Sequence, residues 1–562
     1  MNWNNKKAGI RELIPAVHFL LSFLYERLVI QFTPKVDIVA AIAKSQIISE
    51  GTERVLAYVI SKIIGGILIL LLWKLIFYVI DHIKTSKDVR VLLSVFAIGL
   101  IMILCIWPEP AFDLDFDNYI TFSYAIRLEP EYWHSAYTSY VYCGCMMVIP
   151  HPVAIAVVQW AAFVASLGYL MVRMEKSPVL KGKGKWLAFL LFLVPGSFTV
   201  MTSAYRTELY AVICIFAMTL FAMDAIDHKE RTSTEIMGIA ILCAFLAVWR
   251  SEGLILGFLS FFILILFVYR PAFKKVLLYF CSLIIAFLLT LMPQKLGDMK
   301  FYGNDYSFIN SFTILMNIFN TPGSDLSYEG VEQDLAAIEA VAPIELIKAH
   351  GMEGYRRYNV ANGRKDINQS LADQETGKQY KKAFYRLILH NPKIYIKTQT
   401  YMLFNIFGLV PYYHIVLSDK VPEHDLPMWT YDAWDLGEAD LNSFAGVAAW
   451  RENSFHQQAY QLVIGAVKGV RAFLHKVHID TLIFLGMFAV MGVTILREFV
   501  MFCRKKKCRF AIAFFCITLF GQIAAIWMVM PASSAIYLHP SFYACAVLVL
   551  LSLCELRCET KQ

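Results

Sequence analysis

The chain has 562 residues, of which 58% are hydrophobic and only 17% charged. About a quarter of the residues of a soluble domain are charged, and here the apolar residues gather in runs near the roughly 20 needed to cross a bilayer as a helix. A soluble globular protein is thereby excluded. The net charge of +7 does not point to nucleic acid either, because the cations fall in short clusters between apolar runs, at 84–90, 173–185, 270–275 and 504–509. That is the distribution of cytoplasmic loops under the positive-inside rule.

In chain order, the stretch 15–32 is apolar but interrupted by Glu26 and Arg27, and no small-residue cleavage site follows it. It reads as an interfacial or poorly spanning helix rather than a signal peptide. Strong membrane runs follow at 55–80, 91–107, 153–172, 186–204, 209–226, 236–249, 253–269 and 276–293, and again at 480–496, 510–530 and 535–554. Weaker runs lie at 399–416 and 458–476. The expectation is an all-α polytopic bundle of about 11–13 membrane helices with helices in its exterior loops. Four regions follow: N-terminal interfacial and extra membrane helices over 1–90, a membrane core over 91–293, a large exterior or interfacial region over 294–478, and C-terminal membrane helices over 479–562.

Placing the basic clusters inside puts 108–152 outside. This segment carries Asp113, Asp115 and Asp117, alternating with apolar residues just after a membrane run ends, then Tyr119, Tyr124, Tyr132, Trp133 and His134. A carboxylate at that height can take the proton of a hydroxyl that attacks a sugar anomeric carbon. A phosphate leaving group departs without protonation, so a single base suffices, unlike the paired carboxylates of most glycosidases. The same acids also suit a solvated loop. The rings suit stacking on a sugar and equally a membrane interface.

Two further constellations are charged. Arg206 and Glu208 are expected in a short exterior turn between 186–204 and 209–226. Arg250 and Glu252 separate 236–249 from 253–269, and the first of these runs reaches only about 21 Å as a helix against a core of roughly 30 Å. The pair is therefore expected below the surface, where charges are costly and tend to serve function. An arginine there can grip a phosphate bidentately. The bland alternative is a hairpin ion pair that satisfies itself. His151, between Pro150 and Pro152, suits a turn cap, and Tyr537 and His539 open the last run. Cys143 and Cys145 lack a partner at metal-site spacing, so no metal is indicated.

The acidic first exterior loop resembles that of the GT-C glycosyltransferases, the superfamily of protein O-mannosyltransferases and aminoarabinose transferases. So do the approach HSAYTSYVY…IPHP at 134–152, the two Arg/Glu turns and the stretch LILHNPKIYIK at 387–397, and the similarity covers roughly 90–420. It implies an inverting transfer of a sugar from a polyprenyl-phosphate donor to an acceptor hydroxyl on a glycan, lipid or protein. The reaction would take place at the outer face of a plasma membrane such as the bacterial cytoplasmic membrane, without an organic cofactor. By matching to the family's first-loop acid, Asp117 is the first choice for general base and Asp115 the second. Arg250, Glu252, Arg206, Glu208, His134 and Tyr119 are the expected substrate contacts. Two other classes share the outline: a lipid-linked polysaccharide polymerase, and a lipid or sugar transporter (a flippase). Transporters tend to show repeats and helices broken at matching positions, and neither is visible here.

Overall fold

The computed structural model describes residues 3–29, 49–106, 135–149, 151, 153–180, 182, 184–195, 197, 206–301, 311–350, 373–407, 409, 453–504, 510–530 and 537–559. Every regular element among them is helical. Helix α1 (Trp3–Val29) runs antiparallel to α2 (Glu50–His82), with Arg11 on Asp81 at 2.9 Å near one end and Phe23 on Tyr58 toward the other. Then come α3 (Lys87–Ile106), α4 (Ala136–Val148), α5 (Val153–Lys176), α6 (Arg206–Asp227), α7 (Ser233–Trp249), α8 (Gly253–Ile263) and α9 (Phe273–Phe301). After a group of shorter helices, α10 (Phe312–Asn320), α11 (Val331–Glu339), α12 (Ile344–His350), α13 (Gln374–His390) and α14 (Pro392–Ile406), the chain forms α15 (Ser454–Lys476). It ends in α16 (Ile479–Cys503), α17 (Phe510–Val529) and α18 (His539–Glu559).

Among the described residues, eight helices are long and apolar enough to cross a membrane: α2, α3, α5, α6, α9, α16, α17 and α18. The chain is an all-helical, multi-pass membrane protein. Of the 11–13 membrane runs expected, three strong ones stand apart from these eight among the described residues. Helices α7 and α8 are apolar but shorter, and α8 is continued as a π-helix over Leu264–Tyr269. The run expected at 186–204 does not form an α-helix at its start: Lys185–Leu193 is a nine-residue 3₁₀-helix. Its bonds close every third residue, and its side chains sort accordingly into three columns. Trp186, Phe189 and Phe192 stack on one another; Leu187, Leu190 and Leu193 are exposed; Ala188, Leu191 and Val194 are buried. Gly184, at a positive φ of 85°, starts the segment beside Cys554 near the end of α18, and the segment finishes with Pro195 beside His539 at the start of α18. At about 2.0 Å per residue a 3₁₀-helix covers this distance with fewer residues than an α-helix. Of the two weaker runs, 399–416 overlaps α14 and 458–476 falls within α15; neither ranks among the eight.

The main apolar core is built by α5, α6, α7, α8, α17 and α18, around Trp160, Phe163, Tyr210, Phe221 and Tyr543. The α7–α8 hairpin is tight because Gly253 and Gly257 carry no side chain. A Cβ at Gly253 would strike the Leu246 carbonyl and the Tyr210 hydroxyl, and one at Gly257 the Cys243 carbonyl. This is the close backbone approach that small residues allow between membrane helices. Helices α10–α14 enclose a second core around Phe312, Leu315, Ile338, Tyr380 and Leu387. It joins the bundle where Tyr395 and Gln399 donate to the Met528 carbonyl at the end of α17, the latter at 3.2 Å.

Candidate functional site

Contacts fix which helix ends share a side of the bundle. At one end Asp224, fully buried on α6, accepts from Arg173 of α5 at 2.8 Å, from Arg231 through two nitrogens at 2.9 Å each, and from Tyr269 at 2.7 Å. Ser177 donates to Asp227 at 2.5 Å beside it. Three donors on one carboxylate make a satisfied charge network, the condition under which a buried charge is tolerated.

The other end gathers the residues singled out in the sequence. Helix α7 stops at Trp249, whose indole N–H donates to Thr138 of α4 at 2.9 Å. Tyr137 donates to the Thr290 carbonyl of α9, and the Ala136 amide donates to Gln294 at 2.7 Å. The 136–148 part of the 108–152 segment is therefore a buried helix docked on the hairpin. The segment's acids and rings, including Asp113, Asp115, Asp117, Tyr119 and His134, lie outside the described residues. His151 fills the turn before α5: its Nδ1 accepts from the Val153 amide at 3.3 Å, and burial holds its pKa down. That is the capping role its position between two prolines suggested.

Past Trp249 the chain turns through Arg250 and Glu252, which form an ion pair with side chains 18% and 12% exposed. Arg250 Nη1 also donates to Thr207 Oγ1 at 2.9 Å. The pair is thus largely shielded by the protein, and Glu252 already neutralises the arginine. Arg206 and Glu208 are not in a polar turn: both belong to the first turn of α6, and Glu208 is completely buried. The apolar run continues through it because the carboxylate is met from within by His539 of α18, whose Nδ1 lies 2.7 Å from Glu208 Oε1. Glu208 Oε2 has no hydrogen-bond partner among the described residues.

One end of the bundle therefore holds Arg250, Glu252, Thr207, Glu208 and His539 within a chain of direct contacts. A partly exposed guanidinium is available to an anion, while the second Glu208 oxygen is sealed inside the bundle. Cys143 and Cys145 are buried in α4, and among the described residues no group of three His, Cys, Asp or Glu is placed to hold a metal ion. No protein-family model, curated protein or solved structure matches the chain.

Proposed function

We propose that this protein is a membrane-embedded glycosyltransferase. It takes its sugar from a polyprenyl-phosphate donor and transfers it, with inversion, to an acceptor hydroxyl at the outer face. The observation that carries the reading is the placement of Arg250 in the turn between two apolar helices shorter than the eight candidate spans, beside Thr207 and Glu208. An arginine held there suits a lipid-linked phosphate whose head group dips into the membrane. The positive-inside rule supports the orientation, since Arg173, Lys185, Arg231 and Arg270 gather at the opposite end.

In this mechanism Arg250 exchanges part of its contact with Glu252 for the donor phosphate. The acceptor oxygen attacks the anomeric carbon from the face opposite the phosphate. The new C–O bond forms as the bond to the phosphate oxygen breaks, and the acceptor proton passes to an aspartate of the exterior segment. Asp117 is the first choice and Asp115 the second. The polyprenyl phosphate leaves as an anion.

The test is turnover of purified protein in proteoliposomes supplied with polyprenyl-phosphate sugars. Asp117→Asn keeps shape and removes the proton acceptor, and loss of a general base lowers the rate by about 10²- to 10⁴-fold. Full turnover in Asp113→Asn, Asp115→Asn and Asp117→Asn alike would eliminate the base assignment. Glycan and polyprenyl-phosphate-sugar profiles of a deletion strain identify the substrates. A lost sugar with an accumulated donor is the transferase result, whereas an unchanged envelope glycan with altered sidedness of the lipid would mean transport.

A further inference from the structure

Glu208 and His539 stand on different helices, and both are buried, at 0% and 1% exposure. The imidazole faces oxygen on both sides: Nδ1 is 2.7 Å from Glu208 Oε1, and Nε2 is 2.9 Å from the Pro195 carbonyl at the end of the 3₁₀ segment. A carbonyl oxygen only accepts, and an ionised carboxylate only accepts. A neutral imidazole has one N–H and one lone pair. With Glu208 ionised and the ring neutral, one of the two short contacts must bring lone pair against lone pair, whichever tautomer is chosen.

A single added proton removes the conflict. Either the ring is an imidazolium donating to both oxygens, or Glu208 is protonated and donates to Nδ1 while Nε2–H donates to Pro195. In both forms the pair carries no net charge, the state that a dry interior favours. His18 shows the contrast within the same molecule. There the Trp73 indole donates to Nδ1 at 3.0 Å and Nε2 faces the Val148 carbonyl at 2.8 Å, so one donor and one acceptor satisfy a neutral ring.

We propose that Glu208 and His539 form a proton-binding site, holding one exchangeable proton between α6 and α18. Tyr543, one turn along α18, meets the His539 ring edge-on with centroids 6.0 Å apart. Helix α5 contributes apolar Phe163 against Tyr543 at 5.9 Å. From the α7–α8 turn, Arg250 reaches Thr207 and Glu252 rather than Glu208. Losing the proton would set lone pairs against each other at the junction of α6, α18 and Pro195, so the site end loosens when the pair is deprotonated. The inference holds whether or not the chain transfers sugars.

The experiment uses the full chain in lipid nanodiscs with ¹⁵N-labelled histidine, His539→Gln assigning the signal, together with infrared difference spectra of wild type against Glu208→Gln. The expected result near neutral pH is either doubly protonated His539 or a protonated-acid carbonyl band that disappears in Glu208→Gln. A neutral ring with no such band overturns the proposal. In Glu208→Gln the amide N–H donates to Nδ1 while Nε2–H keeps Pro195, so both contacts survive without the extra proton. Thermal midpoints measured on raising the pH should therefore fall further for wild type than for Glu208→Gln. Parallel profiles would overturn the proposal as well.

Discussion

Arg250 donates to the hydroxyl of Thr207 at 2.9 Å, and through this contact the α7–α8 turn is tied to the first turn of α6, one residue from buried Glu208. The same guanidinium is paired with Glu252. If the proposed donor phosphate binds here, it meets an arginine already oriented by two partners, and less freedom is lost on binding than for a free side chain.

Arg250→Ala removes the phosphate partner and should weaken donor affinity by about one to two orders of magnitude, the consequence of losing a charged hydrogen bond worth a few kcal/mol. Thr207→Val keeps the charge and removes one tether, so its effect on donor affinity should be smaller, and its cost in stability about 1 kcal/mol. Binding of a polyprenyl-phosphate analogue, with thermal unfolding of each variant as control, separates the two. Wild-type affinity in Arg250→Ala would reduce the pair with Glu252 to a self-satisfied hairpin contact.

The hairpin makes a second prediction. Gly253→Ala and Gly257→Ala place a methyl group against backbone carbonyls that cannot rotate away. Each should cost about 1–3 kcal/mol by overpacking and lower the melting temperature in detergent. Gly238→Ala, where the added methyl group meets nothing within 4 Å, should not.

At the opposite end, Asp224→Asn leaves Arg173 and Arg231 without their shared anion. Removing one partner of a buried charge network typically costs about 3–5 kcal/mol. The expected outcome is a large fall in thermal stability with donor affinity per folded molecule unchanged, because this network lies at the other end of the bundle. Loss of affinity at full stability would contradict that separation.

A pH effect is expected in the helical group outside the spans. The Ser327 amide, and then His390, hold the Asp325 carboxyl below its usual range. A carboxyl with a lowered folded-state pKa lends stability that is present above its unfolded value and is lost as pH falls through the folded one. Protection factors around 324–328, taken relative to intrinsic exchange at each pH, should fall on acidification across that window, below the ordinary range of aspartate. In Asp325→Asn the protection should already be low and should not change with pH there.

Much of the membrane architecture was legible in the residues, because a run of apolar side chains states its own length. The break between the runs flanking Arg250 and Glu252 likewise announced a helical hairpin, and His151 between two prolines announced a cap. The Glu208–His539 pair was not legible. The partners are 331 positions apart, and nothing in the local pattern of α6 shows that its first-turn carboxylate is met from within the bundle. The start of the run at 186–204 escapes an α-helical spacing for a different reason: the aromatic residues Trp186, Phe189 and Phe192 and the leucines Leu187, Leu190 and Leu193 each recur every third position. That period, and the Pro195–Gly196 stop, were present in the sequence all along.

A 3₁₀ segment also has surplus reach. Rewinding Lys185–Leu193 as an α-helix would shorten it by about 0.5 Å per residue, roughly 4–5 Å in all. That is more than a hydrogen bond can stretch, so the Pro195 carbonyl would be drawn off His539 without displacing any α-helix of the bundle. The segment stands to that imidazole as a taut cord to a latch, and its winding state and the protonation of the pair would change together.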